Sequence, residues 1–435
     1  AMITVFMSIG NVLLNAGLGQ SLIRTKVPTE EDYSTVFFFN LTASLIVFLF
    51  IYFLADWISE FYNQSSLVDL IRWFSIVIVI NAFSMVQITR LTKRVDFKTQ
   101  LKVSLPATIL SGALGVILAF KGFGVWSLVW MAVFKSILNM LLLFYNTKWL
   151  PSLVFNIEKF KYHFSFGYKL TFSALLDVLF KNAYQVVIGK YYQPTLLGFY
   201  DRANKLNDLP GQSLWTVVAR VTYPIFSEFK EDNLRLKKAC KQVMQLLVFV
   251  NAPLLLIMSA LAEPLFCFLF TEKWLPAVPY FQIICWNGIL YPVHAFNLNI
   301  LKVKGRSDLF LKLEIINKLI VVIVLFISLQ FGIYGILYGS VFVSLIAFFI
   351  NTYYTGKLIY YKSFEQAKDL VLIILIALVS SLLVSFEDFH LLDYISSDVM
   401  RLMIGGFTGL VTFVSLSYIG KVNSLFEIIK MIQRK

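Results

Sequence analysis

Charge is unusually sparse in this chain. Only 14% of its 435 residues are Asp, Glu, Lys or Arg and 58% are hydrophobic, whereas a soluble domain averages about 25% charged residues. No soluble fold hides that much apolar surface. Cysteine is scarcer still: Cys240, Cys267 and Cys285 fall at unrelated spacings, which excludes a zinc ligand pattern and a disulfide framework and leaves three packing residues. The only histidines, His163, His294 and His390, are scattered and form no HExxH, so no metal site is expected. A P-loop, a GxGxxG turn and a GxSxG elbow are all missing, which argues against ATP hydrolysis, dinucleotide cofactors and an enzyme of those classes. The longest outside loop, 190–210, has no room for a soluble catalytic domain, although a catalytic carboxylate in a short loop stays open.

Long apolar windows are what the chain does have. A helix needs about 20 apolar residues to cross the hydrocarbon layer, and runs of that kind recur with polar breaks between them. They predict thirteen helices: 1–17, 36–55, 67–88, 103–120, 123–145, 166–189, 211–228, 242–262, 279–301, 313–331, 332–356, 369–385 and 399–420. The run VFFFNLTASLIVFLFIYFLA is continuously apolar rather than alternating with period two, which excludes barrel strands. The fold class is therefore an all-α polytopic membrane protein.

The net charge of +13 follows from topology. Of 38 Lys and Arg, 26 fall in one alternate set of loops and five in the other. The positive-inside rule puts the basic set, including the tail 421–435, in the cytoplasm, and no nucleic-acid partner is needed to explain the charge. An odd helix count with a cytoplasmic C-terminus puts Ala1 outside. The expectation is a longer protein with one further helix, fourteen in all and both ends cytoplasmic.

Residues 123–130 (FGVWSLVW) and 331–338 (FGIYGILY) share Phe-Gly and two aromatic positions, and each follows a loop bearing Arg-x-Asp, at Arg94 and Asp96 and at Arg306 and Asp308. Six helices separate the copies, so the two halves share one orientation, as in a parallel repeat. The expected division is an N-terminal lobe 1–148, a cytoplasmic linker 149–165, a second lobe 166–357, two final helices 358–420 and a tail 421–435. Chance likeness of interfacial helix starts is the alternative.

An ionisable group at mid-bilayer costs about 2.5 to 3.5 kcal/mol and calls for a partner or a wet cavity. Asp177 and Lys181 lie four apart on one helix face, with Asn182 and Tyr184 beside them and Lys169 earlier; the pair either neutralises itself or faces a ligand. Arg220 has no acid within a turn of its own helix, and its planar fork suits phosphate. Asn11, Asn15, Gln20 and Arg24 extend a polar path, and Lys135 is a further cavity candidate. Glu314 and Lys318 read as a structural pair, while Arg72 and Arg401 are expected to snorkel to headgroups.

The stretches LGQSLIRTKVPTEEDYSTVFFFN (18–40), TRLTKRVDF (89–97), YYQPTLLGFYDRANKL (191–206), ARVTYPIFSEF (219–229) and the block 272–318 resemble the polysaccharide transporters of the multidrug/oligosaccharidyl-lipid/polysaccharide flippase superfamily. These are Wzx-like lipopolysaccharide, O-antigen or exopolysaccharide flippases. The resemblance implies two six-helix lobes plus two final helices and a first helix preceding Ala1. It further implies a cationic cavity that receives an undecaprenyl-pyrophosphate-linked oligosaccharide in the bacterial inner membrane, with Arg220 and Lys181 on cavity-facing helices. A polysaccharide polymerase and a chain-length regulator are the implied protein partners, and Asp177 is the candidate for ion coupling. Rival readings are a cation-coupled drug exporter of the same superfamily, a membrane polymerase or glycosyltransferase, and a non-catalytic assembly scaffold.

Overall fold

The computed structural model describes residues 8–10, 12, 18–25, 27–94, 96–228, 231–391, 394–395 and 397–433. Most of the first expected helix, 1–17, lies outside them. The chain divides into two compact units, Ala1–Tyr192 and Gln193–Lys435.

In the first unit, α1 (Leu18–Arg24) leads to α2 (Glu30–Tyr62), α3 (Leu67–Lys93), α4 (Phe97–Phe120) and α5 (Trp126–Thr147). Ile157–Lys181 (α6) and Ala183–Tyr191 (α7) follow. Local chemistry sets the ends of these helices. Thr29 and Asp32 close a capping box at the start of α2, with Glu30 and Glu31 adding negative charge where the helix dipole is positive. Asn63, left-handed at φ 52°, ends that helix. Asp96 caps α4 by accepting from the Thr99 amide at 3.0 Å. On α4 the buried residues are Val103, Ala107, Ser111 and Gly115, one small-residue ridge at four-residue spacing. That ridge lets α5 approach closely, since a Cβ on Gly115 would stand 2.9 Å from the Met131 sulfur. Phe50 and Phe53 on α2 and Ile109 on α4 point outward, the arrangement a span adopts when lipid rather than water is its solvent.

The second unit comprises α8 (Pro194–Glu228), α9 (Asn233–Ala260), α10 (Ala262–Phe270), a 3-10 turn (Glu272–Ala277), α11 (Val278–Val303), α12 (Ser307–Ser328), α13 (Gly332–Ile359), α14 (Ser363–Leu391), α15 (Asp398–Ile419) and α16 (Asn423–Gln433). Helix α11 is its centre, packing on α8, α9 and α13, while α14 packs on α9 and α15. Phe281, Cys285, Phe296 and Ile300 of α11 are buried in that core. Both FG copies open a helix behind a left-handed glycine, Gly124 (φ 54°) and Gly332 (φ 71°), a conformation that a side chain would strain.

Eight described spans are long and apolar enough to cross a membrane, one of them the continuous stretch Asp308–Ile359 that holds two helices. The protein is a multi-pass, all-α membrane protein. Several sequence expectations are revised. The helix 166–189 is broken at Asn182 into α6 and α7, the expected loop 190–210 is helical from Pro194 as the first part of α8, and the loop after 262 is itself helical as α10. Arg401 does not snorkel. It is 6% exposed and holds Asp388 of α14 through two bonds of 2.8 and 2.6 Å, because a paired carboxylate satisfies it without reaching the interface. Arg72 is likewise held by Asp56 at 2.8 Å. The expected Glu314–Lys318 pair forms at 3.4 Å.

Candidate functional site

Two polar features within the apolar packing are candidates for function, one in each unit. In the first, α6 and α7 run beside α2 from one end to the other. At the start of α2, His163 is fully buried between Asp32 and Ser21, with Nε2 at 3.2 Å from the carboxylate and Nδ1 at 2.8 Å from the hydroxyl. An ionised carboxylate can only accept, so Nε2–H donates to Asp32 and Nδ1 accepts from Ser21. Burial holds the imidazole below its ordinary pKa, against the opposing pull of Asp32, so the neutral ring is favoured. Lys159 adds an ion pair to Glu31 at 3.1 Å. Around the same end Arg90 bonds Glu30 at 2.7 Å and lies over the Tyr33 and Trp149 rings.

At the far end of α2, Lys190 of α7 donates to the Phe61 carbonyl at 2.5 Å and lies 4.5 Å from the Phe61 ring. Between these anchors the helix breaks. The Asn182 side chain donates to the Val178 carbonyl at 2.7 Å, a local bond that competes with helix continuation. Lys181 closes α6, and Asp177 sits one turn before it; both are exposed. Beside them, α2 and α6 border an apolar cleft of about 690 Å³ lined by Phe39, Thr42, Ile46, Phe164, Thr171 and Leu175.

In the second unit, amides converge where α8 meets α11. A recess of about 100 Å³ is lined by Asn204, Asn207, Asp208, Gln212, Asn287 and Tyr291, with Gly211 and Gly288 at its walls. Asn251 donates to the Gly288 carbonyl at 2.8 Å, and Asn287 donates to Ser340 at 2.7 Å. The side-chain oxygens of Asn207, Asn251 and Asn287 are buried with no donor among the described residues. Buried acceptors left empty in an apolar bundle are costly, so they mark a place suited to hydroxyl donors. A Cβ on Gly288 would come within 2.2 Å of the Asn207 oxygen, so glycine keeps the recess open. Further along α11, His294 Nε2 meets Ser344 at 2.9 Å.

Of the residues expected to bind substrate or a coupling ion, Lys135, Asp177 and Lys181 have described side chains. Lys135 is exposed on α5, which packs on α3 and α4, whereas Asp177 and Lys181 ride on α6, which packs on α1 and α2. Asn15 lies outside the described residues, as do the side chains of Arg24 and Arg220. The amide recess was not anticipated, although Asn204, Asn207 or Asp208, and Gly211 or Gln212 recur at helical spacing. The same holds for Asn287, Tyr291 and His294. The His163 bridge joins residues 131 and 142 positions apart, and no local pattern reveals it.

The chain is 29% identical over 302 residues to the teichuronic acid biosynthesis protein TuaB of Bacillus subtilis, covering 68% of this chain and 62% of that protein. It is 21% identical over 369 residues to the lipopolysaccharide biosynthesis protein WzxC of Escherichia coli, covering 83% of this chain and 74% of that protein. Among solved structures, the lipid II flippase MurJ in an inward closed conformation superposes with a TM-score of 0.73 at 16% identity, over 96% of this chain and 89% of that one, a likeness of fold. Residues 1–279 match the family described as polysaccharide biosynthesis protein, and with more than half of its length in that match the chain belongs to this family.

Proposed function

We propose that this protein translocates an undecaprenyl-pyrophosphate-linked oligosaccharide from the cytoplasmic to the periplasmic leaflet of a bacterial inner membrane, for lipopolysaccharide, capsule or exopolysaccharide assembly. The observation that carries the reading is the amide recess between α8 and α11, whose empty acceptors suit sugar hydroxyls inside an otherwise apolar bundle. Membership of a polysaccharide biosynthesis family supports the same substrate class.

An unpaired hydroxyl costs about 1 to 3 kcal/mol in an apolar medium and a charge far more, so the protein must supply a polar path while the polyprenyl tail stays in lipid. Arg220, Lys181 and Lys135 attract the pyrophosphate, and Asn15 and Arg24 extend the path. The lobes 1–148 and 166–357 rock from inward-open to outward-open, joined by the linker 149–165 and followed by the helices of 358–420. Two negative charges moving outward gain about 4.6 kcal/mol per 100 mV, and Asp177 is the site for a coupling cation. The tail 421–435 is cytoplasmic, and a polymerase and chain-length regulator receive the product. The protein acts as a transporter and uses no cofactor.

The test is Arg220→Ala and Lys181→Ala in cells and in proteoliposomes carrying a labelled lipid-linked oligosaccharide. Loss of surface polysaccharide and of leaflet exchange at normal protein levels is expected. Wild-type behaviour of both variants removes the proposed cationic path.

A further inference from the structure

At one end of the second unit three helices and a turn meet around a basic recess that the transport path does not use. Helices α9 and α14 both begin there, and α15 turns through left-handed Lys421 (φ 50°) into α16. Ion pairs fix the framework. Lys237 holds Glu365 at 2.7 Å and Lys241 holds Asp369 at 2.6 Å, both from α9 to α14. Gln242 donates to Glu427 of α16 at 2.8 Å. The recess so enclosed has a volume of about 280 Å³ and is lined by Lys238, Lys241, Gln242, Phe426, Glu427 and Lys430. Lys238 and Lys430 are exposed and have no ion-pair partner among the described residues, so the recess carries these two cations against the single unpaired carboxylate of Glu427.

Two further observations say what kind of anion fits. First, α16 is amphipathic. Asn423, Glu427 and Lys430 line the recess, while Leu425 is buried and Ile428 and Ile429 are half-buried on another face. Helices of this kind lie at the boundary of headgroups and acyl chains. Second, an apolar groove of about 460 Å³ continues from the recess along α9. It begins at Phe249 and Val250, one turn beyond the recess residue Gln245, and is walled by Leu254 and Ile257 of α9 and by Leu410 and Phe413 of α15. A soluble phosphate compound would use the lysines alone. A lipid uses both features.

We propose that the second unit binds an anionic phospholipid, with its phosphodiester at Lys238 and Lys430, its headgroup hydroxyls against Glu427, and one acyl chain in the groove between α9 and α15. The lipid braces α16 and α15 against α9 and is distinct from the transported substrate.

The test uses the purified full chain, stripped of lipid and titrated with phosphatidylglycerol, phosphatidylethanolamine or phosphatidylcholine, with bound lipid counted by native mass spectrometry. Each lysine near a headgroup adds about 1 kcal/mol, so K238Q/K430Q is expected to weaken phosphatidylglycerol retention roughly thirtyfold. K430Q alone falls between. Gly406→Phe fills the groove, where an added Cβ meets nothing within 4 Å, and weakens retention without touching a charge. K98Q/K102Q, in the first unit, leaves retention unchanged. Equal retention of all three lipids, retention unaffected by K238Q/K430Q or by Gly406→Phe, or displacement of the lipid by excess inorganic phosphate would overturn the proposal.

Discussion

The pair joining the last two long helices makes a quantitative prediction. Arg401 and Asp388 are both buried and joined by two charge-assisted bonds, and Arg401 also stands 3.6 Å from Asp398, whose side chain is 34% exposed. Removing one member of a buried pair costs about 3 to 5 kcal/mol, because the other is left charged without a partner. The two single variants differ in what they leave behind. Asp388→Leu leaves Arg401 with Asp398, and the expected loss is at the lower end, about 3 kcal/mol. Arg401→Met leaves Asp388 without its one ion-pair partner among the described residues, and the expected loss is at the upper end, about 5 kcal/mol. Each 1.4 kcal/mol is tenfold, so the unfolding constant rises about a hundredfold in the first and more than a thousandfold in the second. The double variant Arg401→Met/Asp388→Leu removes both charges and falls within about 1 kcal/mol of wild type. Steric trapping in bicelles, with tags on the exposed ends of α14 and α15, measures all three. Equal losses in the single variants, or a double variant as unstable as their sum, refutes the assignment of cost to an orphaned buried charge.

Two further outcomes follow from the polar features. Gly288→Val places methyl groups where the Asn207 oxygen already stands 2.2 Å from a Cβ, so the recess closes and leaflet exchange of a lipid-linked oligosaccharide drops at least about tenfold, while the nearby Gly198→Ala, in open space, leaves it unchanged. The neutral His163 ring gives a pH dependence. Its folded pKa lies below its unfolded value of about 6.5, so the unfolded state takes up the proton first and the contribution to stability, full above that value, is lost as pH falls through it. Between pH 7.5 and 5.5 the thermal midpoint of the wild type should therefore fall further than that of His163→Gln; parallel profiles would show that the ring does not titrate in this window.

Much of the fold was legible because the bilayer simplifies the reading. A run of apolar residues long enough to span can hardly be anything but a helix, and α2, α3, α5, α14 and α15 each enclose an expected span or nearly so. The failures have local causes. Asn182 reads as one polar residue within an apolar window, and only its bond to the Val178 carbonyl shows the helix ending there. Glu263 and Pro264 read as a loop, yet both suit a helix's first turn, where α10 begins. Arg401 read as a snorkelling residue because the acid that holds it lies 13 residues back on the preceding helix. For the candidate site, charges stood out against apolar surroundings, whereas the amides of the recess did not. Asn207, Asn251 and Asn287 become a group only when α8, α9 and α11 are packed together.

The bond made by Lys190 at one end of α2 and the His163 bridge at the other have a mechanical meaning. A rod pinned at both ends cannot slide along its support. If it is continuous it can only flex stiffly, but with a joint partway along, the middle bows sideways while both ends stay in place. Asn182 is the interruption between the two pins, and Asp177 and Lys181 are the charges beside it.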